Sequence, residues 1–124
     1  MNRHRLLLAV GALAAIALRY TLSMRAVLPE VVADETAYLS MARYISGGEV
    51  WNLGTAATYG PGYSVLLAPL FWLGWSPDDT FRAVVVVNCL LGGVLVVAME
   101  SVVRRLTTFA RPASIAVATV AACL

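Results

Sequence analysis

Residues 76–106 read SPDDTFRAVVVVNCLLGGVLVVAMESVVRRL, and this stretch decides the fold. Ser76 is a side-chain cap, Pro77 suits a first helical position, and Asp78 and Asp79 stand where the positive end of a helix dipole favours acids. A helix therefore starts here. It runs through Phe81 to Val103 with Asn88 as its one strongly polar interior residue and Glu100 near its end. An apolar segment of that length is a transmembrane candidate, because about 20 residues at about 1.5 Å each cross a hydrocarbon core of about 30 Å.

Upstream, Leu6 to Leu28 forms a second such run. Arg19 and Arg25 are its weak points, since an arginine at a bilayer centre costs about 2.5 to 3.5 kcal/mol. Arg19 lies roughly 20 Å along the helix, so its stem is expected to snorkel to the far interface. A cleaved signal peptide is the alternative, but no small-residue cleavage site follows the apolar run. Gly62 to Trp75 is apolar yet only 14 residues long, which makes it a short span or a re-entrant segment. Downstream, Arg104, Arg105, Arg111 and Pro112 mark a loop, and Ser114 to Leu124 opens a further apolar helix that stops short of a span. That last helix suggests the start of a longer protein or a truncated product.

The composition agrees. Sixty per cent of the 124 residues are apolar and 13 per cent are charged, where a soluble domain carries about 25 per cent charged residues. The expected architecture is an all-α membrane protein with about three transmembrane helices, a truncated fourth, and an amphipathic interfacial helix in the first outer loop. As one polytopic domain it divides into helix 6–28, outer loop 29–60, helix or re-entrant segment 61–75, helix 77–106 and truncated helix 114–124. A net charge of +2, with no basic face, excludes a nucleic-acid partner. Cys89 and Cys123 lie in apolar stretches and read as small core residues, and His4, between Arg3 and Arg5, belongs to a basic flank. No metal site with close ligand spacing is evident.

Between Glu30 and Gly60 the chain turns polar. Ala37, Tyr38, Met41, Tyr44 and Ile45 recur at helical spacing, Asp34 opens the segment and Gly47-Gly48 close it. Such a segment is expected to lie along the interface with its tyrosines at headgroup level. The basic flank places the N-terminus inside and this loop outside. A spanning 61–75 segment then puts Arg104, Arg105 and Arg111 outside, against the positive-inside tendency. Either that segment is re-entrant or the arginines have a task outside, and the second reading is preferred here.

The adjacent carboxylates of Asp34 and Glu35 suit a general base, since desolvation and mutual repulsion raise at least one pKa in such pairs. They can also hold a divalent cation through oxygen ligands, or simply cap a helix in water.

In order, Asp34-Glu35-Thr36-Ala37-Tyr38, Met41-Ala42-Arg43 and Tyr59-Gly60-Pro61-Gly62-Tyr63, leading into Leu66-Leu67-Ala68-Pro69-Leu70, resemble the first outer loop of the GT-C superfamily of polytopic glycosyltransferases. These include protein O-mannosyltransferases and aminoarabinose transferases. The resemblance covers the layout of the chain, while its specific motifs occupy only residues 34–43 and 59–63. It implies sugar transfer from a polyprenyl-phosphate donor to an acceptor lipid, glycan or protein on the outer face of a bacterial inner membrane. Asp34 would be the catalytic base, with Glu35 second. Arg43 would stabilise the leaving phosphate or pair with Glu35 or Glu49. Tyr38 and Tyr59 would border the substrate, although Tyr38 reads first as a headgroup anchor. Unlike many members, this chain has a single proline and no cation before Gly62, and Arg104, Arg105 and Arg111 are expected to meet a lipid phosphate instead. A non-catalytic helical subunit and a transporter fragment are the competing readings, the latter supported by Asn88 and the short second segment.

Overall fold

The protein, as a computed structural model, is described over residues 3–23, 33–49, 60–106 and 111–123, and every regular element among them is an α-helix. Five helices follow one another: α1 Arg3–Ser23, α2 Ala33–Ile45, α3 Gly62–Phe71, α4 Pro77–Leu106 and α5 Arg111–Cys123. The chain divides into two compact units, one of Met1–Val27 with Val85–Leu124 and one of Leu28–Val84.

The start of α4 is the one its residues dictate. The Asp79 amide donates to Ser76 Oγ at 3.2 Å, and that hydroxyl donates to the Asp79 carboxylate at 2.7 Å. This reciprocal cap satisfies an amide that has no partner within the helix. Thirty residues make α4 about 45 Å long. α1, with 21 residues, reaches about 32 Å. Both are long and apolar enough to cross a membrane, with mean hydropathies of 2.3 and 1.8.

Three boundaries differ from expectation. α1 begins at Arg3 rather than Leu6, so the basic flank is its first turn; the remainder of the expected helix, residues 24–28, falls outside the described residues. α3 has ten residues, about 15 Å, which is half of a hydrocarbon core. It ends where the Trp72 amide bonds back to the Pro69 carbonyl, and Gly74, at φ +64°, turns the chain towards α4. α5 starts at Arg111 rather than Ser114, taking in Pro112. Proline is tolerated there because first-turn amides lack helical partners anyway.

The core of the first unit is made of small side chains. Ala15, Val96 and Ala118 are fully buried, with Leu8, Ala12 and Met99 packed around them. Such residues let helices approach closely, and α4 approaches α1 across Gly92-Gly93. A Cβ on Gly93 would sit 2.6 Å from Ile16 Cδ1, and one on Gly92 would sit 2.7 Å from Arg19 Cδ. The second contact lays the stem of Arg19 over Gly92, near the midpoint of α4.

The register of α1 on α4 is marked by charge. Glu100, 3 % exposed, lies 3.5 Å from His4 Nε2 on α1 and 3.6 Å from Arg104 Nε on its own helix. Burying a carboxylate is costly unless cations accompany it. The pairing also sets direction: the beginning of α1 meets the end of α4, so the two helices run antiparallel. Arg3, Arg5, Arg104 and Arg105 consequently stand at one end of this unit. Cys89 is buried as expected, and the side chain of Cys123 is outside the described residues.

Gly93→Leu is expected to destabilise the helix packing by about 1–3 kcal/mol, the usual cost of overfilling a tight contact, and Ser76→Ala by about 1 kcal/mol. Denaturant unfolding of the purified protein in detergent measures both; an unchanged midpoint for Gly93→Leu would mean that α1 and α4 do not meet there.

Candidate functional site

The second unit is organised by α2 and α3. α2 occupies Ala33–Ile45, close to the segment that its apolar spacing predicts. It buries Ala37 at 2 % exposure and Ala42 at 0 %, and packs on α3, which buries Ser64, Leu67 and Ala68. The helix is therefore docked on a neighbour rather than lying alone. Tyr38 meets Tyr63 edge-on, with ring centroids 5.2 Å apart and planes at 89°, a favoured aromatic geometry. Ser64 Oγ donates to the Tyr38 carbonyl at 3.1 Å, and Trp72 Nε1 donates to the Ser46 carbonyl at 3.1 Å. The two separated stretches, 34–43 and 59–63, thus belong to one packed unit at the residues that can be compared. Tyr38 is half-buried against Tyr63, while Tyr44 is the exposed tyrosine of α2.

α2 stops as its glycines dictate. Gly47 adopts φ +88°, its amide bonds to the Tyr44 carbonyl, and the Gly48 amide bonds to the Arg43 carbonyl at 2.9 Å. This paired pattern with a left-handed glycine ends many helices. Gly48 has a second effect. A Cβ there would sit 2.8 Å from Arg43 Cγ and 3.3 Å from Nε, so the arginine stem lies directly over it.

Arg43 borders a cleft of about 430 Å³, within the ordinary size for a small-molecule site. Leu39 and Ser40 share its wall on α2. Phe71 and Trp75 close it from α3 and the following turn, and Pro77, Thr80 and Phe81 from the start of α4. The walls are mainly apolar and aromatic, with one exposed guanidinium and two hydroxyls. Such a lining can take an amphiphile: its anion on Arg43, its hydrocarbon against the rings.

The anticipated site residues are distributed as follows. Glu35, half-buried, Leu39 and Arg43 follow one another at four-residue spacing and so share one stripe of α2. Glu35 and Arg43 are about 12 Å apart along the axis. Neither Glu35 nor Glu49 comes within ion-pairing distance of Arg43 among the described residues, which leaves the alternative of a paired Arg43 without support. Asp34 is the second residue of α2, and its side chain lies outside the described part; Tyr59 lies wholly outside it. A divalent cation held by both Asp34 and Glu35 therefore falls outside what is described. Arg104 and Arg105 lie in the last turn of α4, in the first unit. Phe71, Trp75, Thr80 and Phe81 went unnoticed in the sequence because they fall in three elements with no shared spacing.

No protein family, curated protein or solved structure matches the chain.

Trp72→Phe and Ser64→Ala each remove one bond between the α2 and α3 segments, and each is expected to lower stability by about 1 kcal/mol. Chemical unfolding in detergent tests this, and stabilities equal to wild type would show that these bonds do not hold the unit together.

Proposed function

We propose that this chain is part of a membrane glycosyltransferase of GT-C type, which moves a sugar from a polyprenyl-phosphate-linked donor to an acceptor at the extracytoplasmic face of a bacterial inner membrane. The observation that carries the reading is Arg43: a lone guanidinium at an aromatic-walled cleft, on the same helical stripe as Glu35 and the same helix as Asp34. A hydroxyl acceptor needs a base to take its proton, and a phosphate leaving group needs positive charge rather than an acid. One helix offers both. An acid of the Asp34–Glu35 pair would take the proton, and Arg43 would stabilise the departing phosphate while Phe71, Trp75 and Phe81 receive the first part of the prenyl chain. Tyr38 would hold α2 on α3, and Tyr59 remains a candidate contact for the substrate.

The membrane setting is supported by α1 and α4 and by what surrounds them. Leu13, Val10 and Leu22 on α1 and Val94, Leu90 and Leu95 on α4 are among the many large apolar side chains left exposed, far more than a water-facing monomer tolerates as one patch. In the proposed topology α1 crosses outward and α4 crosses back. Two crossings leave Arg3, Arg5, Arg104 and Arg105 inside, as the positive-inside rule favours. Arg104 and Arg105 then need no outer task.

The test is incorporation of radiolabelled sugar from polyprenyl-phosphate donors by membranes that contain the full-length protein. Replacement of the true base, through Asp34→Asn or Glu35→Gln, is expected to reduce transfer by about 10²- to 10⁴-fold. Arg43→Gln should cost about 10- to 100-fold, the worth of a hydrogen bond to a charged group. If all three variants insert normally and transfer like wild type, α2 is structural and the chain is a non-catalytic helical subunit.

A further inference from the structure

We propose that the arginine-bearing end of the first unit is a docking surface for anionic phospholipid headgroups. The inference rests on the membrane part of the reading above and not on its glycosyl-transfer chemistry.

Charge is divided unevenly between the two units. Residues 1–27 and 85–124 hold seven arginines and one acid, Glu100, a formal charge of +6 with His4 neutral. Residues 28–84 hold two arginines and six acids, a formal charge of −4. The positive excess is also localised. The contact of His4 with Glu100 brings the first turn of α1 beside the last turns of α4, so Arg3, Arg5, Arg104 and Arg105, all exposed, share one end. The unit's single carboxylate is 3 % exposed and already faces His4 and Arg104. It offers the remaining guanidinium groups no surface counter-charge.

Depth points to the same partner. Immediately inward of these arginines large apolar side chains are exposed, Leu6, Leu7 and Val10 on α1 and Val102 and Val97 on α4, and the exposed Ser101 hydroxyl is turned onto the Val97 carbonyl. With that band in hydrocarbon, the guanidinium groups stand where lipid phosphates lie. Guanidinium takes phosphate oxygens through paired N–H donors, and an anionic headgroup adds the net charge that a zwitterionic one lacks. An anionic leaflet attracts each such arginine enough for about a fivefold gain in affinity.

The experiment titrates the full chain, purified in detergent, with phosphatidylglycerol or phosphatidylcholine, and counts bound lipid by native mass spectrometry. Wild type is expected to retain phosphatidylglycerol preferentially. The triple variant Arg3→Gln, Arg5→Gln, Arg105→Gln keeps the Arg104–Glu100 pair, and should bind phosphatidylglycerol on the order of a hundredfold more weakly. Arg82→Gln removes one exposed charge from the other unit and should leave binding unchanged. Equal retention of the two lipids, or equal loss in the triple variant and in Arg82→Gln, overturns the proposal while leaving insertion intact. Competition by millimolar inorganic phosphate as strong as that by the lipid would overturn it too, in favour of a single-anion site. Extraction of the chain from membranes by alkaline carbonate would instead defeat the membrane reading itself.

Discussion

The close approach of α1 and α4 across Gly92-Gly93 is the contact from which the organisation of the first unit follows. With no side chain at either position, Ile16 and the stem of Arg19 lie against the backbone of α4. Ala15, Val96 and Ala118 complete the buried core, with Leu8, Ala12 and Met99 around it. A contact of this kind draws on dispersion between closely spaced atoms and needs no hydrophobic drive from water. It accordingly leaves the large apolar side chains on the outside. A soluble helical bundle would turn those residues inward.

That contact also determines where charge goes. Once α1 and α4 run antiparallel, the arginines of their adjoining ends are neighbours, and Glu100 is buried beside His4 and Arg104. The acid is not obviously a source of net stability, because desolvating a carboxylate offsets much of what its partners return. Its better-supported role is specificity. Sliding α1 by a turn would leave Glu100 without His4, whereas an apolar contact between alanines tolerates slippage.

The second unit uses different means. α2 and α3 are short, and a ten-residue helix has little stability by itself. They are joined by the Tyr38–Tyr63 ring contact, by the Ser64 and Trp72 hydrogen bonds and by two buried alanines on α2. The turn after α2 serves the cleft as well as the helix. The same Gly47-Gly48 pair that ends α2 leaves room for the Arg43 stem. An arginine two residues before a helix end, with no carboxylate at pairing distance among the described residues, is available to an external anion.

By itself, the sequence determined the helical class, the start of α4 at Ser76-Pro77, the extent of α2 and the concentration of acids between residues 28 and 84. These are local matters: capping, periodicity and glycine turns act over a few residues and can be read from spacing. Only tertiary structure decided the direction of α1 against α4, the resting place of Arg19 and the gathering of Phe71, Trp75 and Phe81 around Arg43. Each depends on residues tens of positions apart. The arginines show the difference most clearly. Linear reasoning had to count crossings to locate Arg104 and Arg105, and a 14-residue apolar stretch made that count ambiguous. The contact between His4 and Glu100 places them beside the first turn of α1, because two side chains 3.5 Å apart cannot belong to opposite ends of a helix pair.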